Sequence, residues 1–489
     1  MAVTANPSSG GKLLKHSTIY MIGTLSRQLA SFLMLPVYTH YLTPADYGVV
    51  GLLTLTLSLM EVFFGARLGE AIPKYYFDPK NEHRRGAIFG VALTITGGVS
   101  GLTALFIFLG RDSASSLLFG SVDYGLVVGL FGIQIVTQAI EYYGYSFIRM
   151  QQKPILYITM SLSKLVLQLG LNIWLVAFLH KGVMGVVISG GVSSSLYAIG
   201  LAAYIIKTLG FKFEKSLAKS MVIFSFPLWF GGLAGLYIYQ SNRYLLRYFG
   251  SLADVGIFEL ATKFATILTL LAWGPFSQTW EVERFNYYHQ PNAEKIFRIV
   301  FHLISTILFI VGLGISIFSA PTIQIMSSEA FHEASASVPF LTLGVLFSSL
   351  TTFTSFGLFI TEKTALISKN LYFAAVVITM LNLLLIPKLD ETGAAIAFML
   401  AMIIQFVAIK FVTQRYYDMQ IRFRPLIFLA LIAVIGYYIA NYAVTIESLA
   451  LDIMYKAAIY LISVLFMVAS LLKDPTAREF VSKFRKKGA

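Results

Sequence analysis

Arg27 is the residue in this chain whose position most demands a chemical reason. It stands in the apolar stretch Lys15–Leu42, between Ser26 and Gln28. On a helix it lies roughly 18 Å from Lys15, at about 1.5 Å per residue. That depth is near the middle of a hydrocarbon layer roughly 30 Å thick. A guanidinium keeps its proton, and holding it there costs at least about 2.5–3.5 kcal/mol. Only water, a buried carboxylate such as Glu61 or an anionic ligand offsets that cost. Arg243 and Lys263 pose the same question in later apolar stretches. Arg meets a phosphate through a planar fork of donors and Lys meets it as a point charge. Arg27, Arg243 and Lys263 are therefore the candidate ligands for an anion.

Other ionisable residues have more local readings. Glu141 and Lys164 flank the turn around Arg149–Pro154 at similar depth, which suits an ion pair. Glu259 stands four residues before Lys263, on the same helix face, and the two can neutralise each other. Arg247 is near enough to a membrane surface to snorkel. Arg67 and Glu70, at the inner end of the second apolar stretch, are gate candidates together with Glu61, Lys164 and Arg247. Glu61 and Glu259 are the acids that coupling to H+ or Na+ would use. The seven histidines are scattered and there is no cysteine. Disulfides and thiolate metal sites are thereby excluded, and no resident cofactor or metal is expected.

The elements that must position these groups are long apolar helices. Of 489 residues, 57% are hydrophobic and 12% charged, with a mean hydropathy of +0.74. A soluble protein carries about 25% charged residues. Apolar runs of about twenty residues recur throughout, which fits membrane-crossing helices and not the roughly ten-residue strands of a barrel. The fold class expected is an all-α polytopic membrane protein. Fourteen spans are expected, from 15–42 and 45–66 through 220–248 and 254–279 to 452–472. Pro36, Pro227 and Pro275 fall inside spans and should kink or loosen them. A cleaved signal peptide is not expected, because Arg27 interrupts the first stretch and no small-residue cleavage site follows it.

The net charge of +13 is a topology signal and not a sign of nucleic acid. On one face the loops hold only Arg111, Lys181 and Lys388, while most of the 37 Lys and Arg collect in the other loops and the tail. By the positive-inside rule both termini are cytoplasmic. The expected organisation is a cytoplasmic segment 1–14, an N-lobe of six spans 15–206, a linker 207–219 and a C-lobe of six spans 220–413. Two further spans with their preceding loop follow in 414–472, and a basic tail in 473–489. The tail's charges suit anionic lipid or simply fix topology.

The lobes read as a repeat. Ala45-Asp46-Tyr47-Gly48-Val49-Val50 recurs as Ala253-Asp254-Val255-Gly256-Ile257-Phe258. Tyr75-Tyr76-Phe77-Asp78-Pro79 recurs more loosely as Tyr287-Tyr288-His289-Gln290-Pro291. The offsets, 208 and 212 residues, nearly agree. An even number of intervening spans makes the repeat parallel, an arrangement used by transporters with a substrate site between lobes. Asp46 and Asp254 read as helix caps.

These residues carry a resemblance. Leu42-Thr43-Pro44-Ala45-Asp46-Tyr47-Gly48, after a span holding Ser26-Arg27, resembles the polysaccharide-transport (O-antigen flippase) branch of the multidrug/oligosaccharidyl-lipid/polysaccharide exporter superfamily. Asn242-Arg243-Tyr244-Leu245-Leu246-Arg247-Tyr248-Phe249-Gly250 is similar to that branch's seventh-to-eighth span junction, where the family often has Asp in place of Asn242. The related peptidoglycan-precursor flippases have a first-span Ser-Arg matching Ser26-Arg27, whereas Arg67 is out of register with their second-span arginine. The resemblance implies two pseudo-symmetric six-helix lobes around a central cavity, plus two C-terminal helices. It implies alternating access that carries undecaprenyl-pyrophosphate-linked oligosaccharide to the outer leaflet of the bacterial inner membrane. It also implies work beside a polysaccharide polymerase and a chain-length regulator, as a monomer.

Two other readings make different demands on the sequence. A cation-coupled drug exporter of the same superfamily should show twelve spans and a cavity dominated by acids. A membrane polysaccharide polymerase should carry a large external loop, yet the outer segments 111–122 and 321–338 are short. The sequence also holds no Asp-x-Asp pair, nucleophile elbow or phosphate-cradling Gly loop. A transporter and not an enzyme is expected.

Overall fold

A computed structural model describes residues 32–60 and 68–473. Every regular element among them is helical. Among the described residues, ten helices are long and apolar enough to cross a membrane. The chain divides by its internal packing into Met1–Arg247 and Tyr248–Ala489, a boundary that falls near the end of span seven and not in the 207–219 linker.

The first unit contains α1 (Leu35–Tyr41), α2 (Pro44–Met60), α3 (Leu68–Tyr76), α4 (Arg85–Leu109), α5 (Arg111–Phe119), α6 (Gly125–Met150), α7 (Pro154–Asn172), α8 (Gly182–Leu209) and α9 (Lys215–Phe249). Ile88, Phe89 and Ala92 of α4 pack against Tyr143 and Phe147 of α6 and Met221 of α9. Tyr143 brings its hydroxyl to Thr96 Oγ1 at 2.6 Å, so its one polar atom is satisfied where it is buried. The linker lies on α4. A Cβ on Gly86 or Gly90 would run into the carbonyls of Leu209 and Lys212, so only glycine admits that backbone. Arg84 then holds the linker through Glu214, its Nε donating to Oε2 at 2.9 Å. The short helix α5 stands where the sequence suggests only a loop.

The second unit contains α10 (Leu252–Leu268), α11 (Gly274–Tyr288), α12 (Ala293–Met326), α13 (Ala334–Thr354), α14 (Phe356–Ile360), α15 (Thr364–Gln414), α16 (Phe423–Tyr438) and α17 (Leu449–Lys473). Its core is aromatic: Trp280 stacks on Phe353, ring centroids 5.2 Å apart, and Phe301 lies parallel to Phe406 at 6.2 Å. The 51 residues of α15 are two helices, joined at Asp390 with φ 46° and ψ −129°. The second doubles back onto the first, since a Cβ on Gly393 would lie 2.4 Å from the Leu385 carbonyl oxygen.

Of the three prolines, Pro275 has the clearest consequence. It lacks an N–H, so the preceding turn cannot close normally, and a π-helical stretch, Thr269–Trp273, leads into α11. Pro36 sits in the first turn of α1, where a missing N–H costs nothing. The backbone of α9 stays helical through Pro227.

Candidate functional site

Each repeat begins its second helix in the same way. In the first unit, Thr43 Oγ1 accepts from Asp46 N at 3.1 Å, and Asp46 Oδ2 accepts from Thr43 N at 3.1 Å and from its hydroxyl at 2.8 Å. In the second unit, Ser251 and Asp254 form the same reciprocal box. Both carboxylates thus satisfy helix N-termini.

The polar residues that the apolar helices carry inward are the functional candidates. Helix α9 presents Ser241, Asn242 and Arg243 in succession, at 6%, 1% and 7% exposure. Arg243 donates from Nη1 to the Tyr239 carbonyl one turn back, at 2.9 Å. The next residue, Tyr244, places its hydroxyl 3.2 Å from Thr56 Oγ1 and so fixes this part of α9 against α2. One turn beyond Arg243, Arg247 donates to the Phe119 carbonyl at the C-terminal end of α5. That end closes on Gly120, with φ +68°. A cation there satisfies an orphan carbonyl and faces the negative end of the helix dipole.

In the second unit α10 carries Glu259 and Lys263 one turn apart, within electrostatic reach of each other. Lys164 on α7 meets Glu141 on α6 at 2.6 Å, with side chains 17% and 7% exposed. This is the ion pair that their shared depth suggests. Arg27, Glu61 and Arg67 lie outside the described residues. Glu70 falls within α3.

The structure therefore joins Arg243 to Arg247 along one face of α9, Glu259 to Lys263 along α10, and Lys164 to Glu141. It also contains a cavity in the second unit lined by Arg298, His302 and Arg422. Arg298 and Arg422 look in the sequence like the loop cations that set topology, and His302 like one of seven scattered histidines.

Helices of this length and composition define a class, the polytopic α-helical membrane proteins. Residues 13–280 match the model of the family described as polysaccharide biosynthesis protein, over half the chain, and the chain belongs to that family. A solved structure of the lipid II flippase MurJ in an inward closed conformation matches 94% of this chain and 99% of its own, with a TM-score of 0.76 at 13% identity. An inward-facing multidrug resistance MATE family transporter of the MOP superfamily matches 80% of this chain and 95% of its own, with a TM-score of 0.60 at 14% identity. At such identities these likenesses establish the fold alone. A Haemophilus influenzae protein described as an uncharacterized membrane protein is 23% identical over 265 residues, 53% of this chain. That match spans 62% of the relative's length.

Proposed function

We propose that this protein is a flippase that carries undecaprenyl-pyrophosphate-linked oligosaccharide from the inner to the outer leaflet of the bacterial cytoplasmic membrane, for O-antigen, capsule or exopolysaccharide assembly. The observation that carries the reading is Arg243, buried to 7% exposure beside Asn242 and Ser241 in a membrane-length helix. A guanidinium matches the oxygens of a pyrophosphate in pairs, which suits Arg243 to that head group. Arg27 and Lys263 are assigned the same duty. Binding stays modest, because a site that held the diphosphate too tightly would trap it.

The family match and the likeness to the lipid II flippase support transport of a lipid-linked glycan. Fourteen spans with both termini cytoplasmic, alternating access, action as a monomer and work beside a polymerase and a chain-length regulator belong to the same proposal. So does coupling to H+ or Na+ through Glu61 or Glu259. The rival reading, a cation-coupled drug exporter, draws on the MATE likeness. The flippase is preferred because the described apolar helices carry bases as prominently as acids.

Arg27→Ala in cells tests the proposal. The variant should insert normally yet leave glycan unassembled at the surface. An intact surface polysaccharide in that variant, or restored drug resistance as the sole phenotype of the wild type, would overturn it.

A further inference from the structure

The linker between α8 and α9 carries two half-exposed aromatic rings. Its non-helical residues 210–214 begin at Gly210, with φ +75° and ψ 174°. Phe211 and Phe213 follow at 52% and 49% exposure. The backbone is the part that packs: the Leu209 carbonyl lies against Gly86 of α4 and the Lys212 carbonyl against Gly90. Main chain and Glu214 hold the linker to the unit, while both rings project from it.

Four exposed lysines flank the rings: Lys207 near the end of α8, Lys212 between the rings, and Lys215 and Lys219 at the start of α9. The linker's single acid is Glu214. Arg84 already holds it, with His83 and Lys212 in electrostatic reach. In the turn before α4, Glu82 is paired with Arg85 at 3.5 Å. Both acids are thus neutralised within the unit, which leaves a positive rim around two apolar rings.

Depth decides between water and lipid. Gly86 and Gly90 lie within roughly 8 Å of the start of α4, at about 1.5 Å per residue. The linker therefore runs beside the first turns of a membrane-length helix. It also prolongs a lipid face. Val192, Leu196, Ile199 and Ile206 of α8 are exposed, and their spacing puts them on one side of that helix. Phe211 comes just beyond the last of them. A stripe of this kind on a membrane-length helix meets acyl chains, and rings past its end meet the headgroup boundary.

We infer that the 207–219 linker is an anchor on the anionic lipid surface of the leaflet at the Lys- and Arg-rich face. Phe211 and Phe213 enter the boundary between headgroups and acyl chains, and Lys207, Lys212, Lys215 and Lys219 hold anionic headgroups. Aromatic rings give the depth and the lysines give the preference for charge. Because the same linker is fastened to α4 through Arg84 and Glu214, the anchor fixes where the first turns of α4 stand relative to the lipid surface. The inference rests on the chain's crossing a membrane and not on what it carries.

The sequence has no cysteine, so Phe211→Cys and Phe213→Cys each accept a single nitroxide label in the full-length protein. The labelled proteins are placed in liposomes of phosphatidylcholine, alone or mixed with phosphatidylglycerol. Spin relaxation then compares collisions with oxygen, which concentrates in lipid, against a nickel chelate, which stays in water. Both labels should favour oxygen, whereas a label at Lys80→Cys, in the exposed turn before α4, should favour the chelate. Phosphatidylglycerol should raise the oxygen-to-chelate ratio at 211 and 213 several-fold, and changing the four lysines to Gln should abolish that rise. Should the fourfold variant not fold, Lys215→Gln/Lys219→Gln should still reduce it. Labels that favour the chelate at both positions overturn the anchor. Labels shielded from oxygen and chelate alike show that protein covers the rings, and overturn the lipid surface as the occupant. A ratio unmoved by phosphatidylglycerol, or by the lysine changes, overturns the role of the lysines.

Discussion

Lys164 Nζ lies 2.6 Å from Glu141 Oε2, and this contact ties α7 to α6 across 23 residues of chain. The other carboxylate oxygen, Glu141 Oε1, is buried without a hydrogen-bond partner. Lys164 is the cation on the Glu141 carboxylate, with the Ser194 hydroxyl as a further hydrogen-bonding neighbour. Lys164→Met should leave an uncompensated buried charge and cost about 3–5 kcal/mol, whereas the joint change Glu141→Gln/Lys164→Met should recover most of the loss. Thermal unfolding of the single and double variants in detergent measures both. A cost below about 1 kcal/mol for the single change would show the contact to be no more than a surface pair.

Arg247 serves the 111–120 segment of its own unit. Its guanidinium terminates α5, a nine-residue helix too short to persist without help. Arg247→Ala should cost about 1 kcal/mol locally and raise hydrogen exchange over residues 111–120. Unchanged exchange there would mean that α5 is held by packing alone.

The linker's attachment to α4 should depend on pH. The hydrogen bond from Arg84 holds the Glu214 carboxyl below the usual carboxylate range. A carboxylate so lowered adds stability above its unfolded value, about 4.3, and loses it as pH falls through the folded value. Protease cleavage within residues 207–219 should therefore be flat from neutral pH to about 5 and rise below about 4. In Glu214→Gln the acid-induced step should vanish, with cleavage already faster at neutral pH. A step at the same pH in the variant would assign it to another group.

Two glycines should separate close packing from mere helix composition. Gly393→Val places a side chain against the Leu385 carbonyl and should prevent the α15 hairpin from closing, seen as lost expression of folded protein. Gly200 has nothing within 4 Å of where a Cβ would stand. Gly200→Ala should be neutral or stabilising by up to about 1 kcal/mol, measured by melting temperature.

What the sequence disclosed and what it hid divide along the range of the interactions. The caps at Asp46 and Asp254 are local, since the partners Thr43 and Ser251 stand three residues away and the motif can be read in one line. Glu141 and Lys164 were also legible, because a single tight turn fixes their relative depth. Arg247 was not, because its partner is a backbone carbonyl 128 residues distant that no side-chain pattern advertises. The helix α5 was hidden for a related reason: nine residues are below the length at which periodicity is informative. Arg298 and Arg422 are visible in the sequence but look like any loop cations. Only folding shows that they border one cavity. The apolar length of the spans gave the class outright, because lipid leaves the backbone no other way to satisfy its hydrogen bonds within one segment.

Transport itself is tested most directly in sealed liposomes that contain the purified protein and a fluorescent undecaprenyl-pyrophosphate oligosaccharide, with a membrane-impermeant reagent quenching only the outer leaflet. The account predicts that the wild type brings the inner-leaflet pool within reach of the reagent and that Arg243→Gln, although folded, does so at least about tenfold more slowly. Quenching that stops at the outer-leaflet pool with the wild type, as in protein-free liposomes, or that proceeds equally fast with Arg243→Gln, would contradict it.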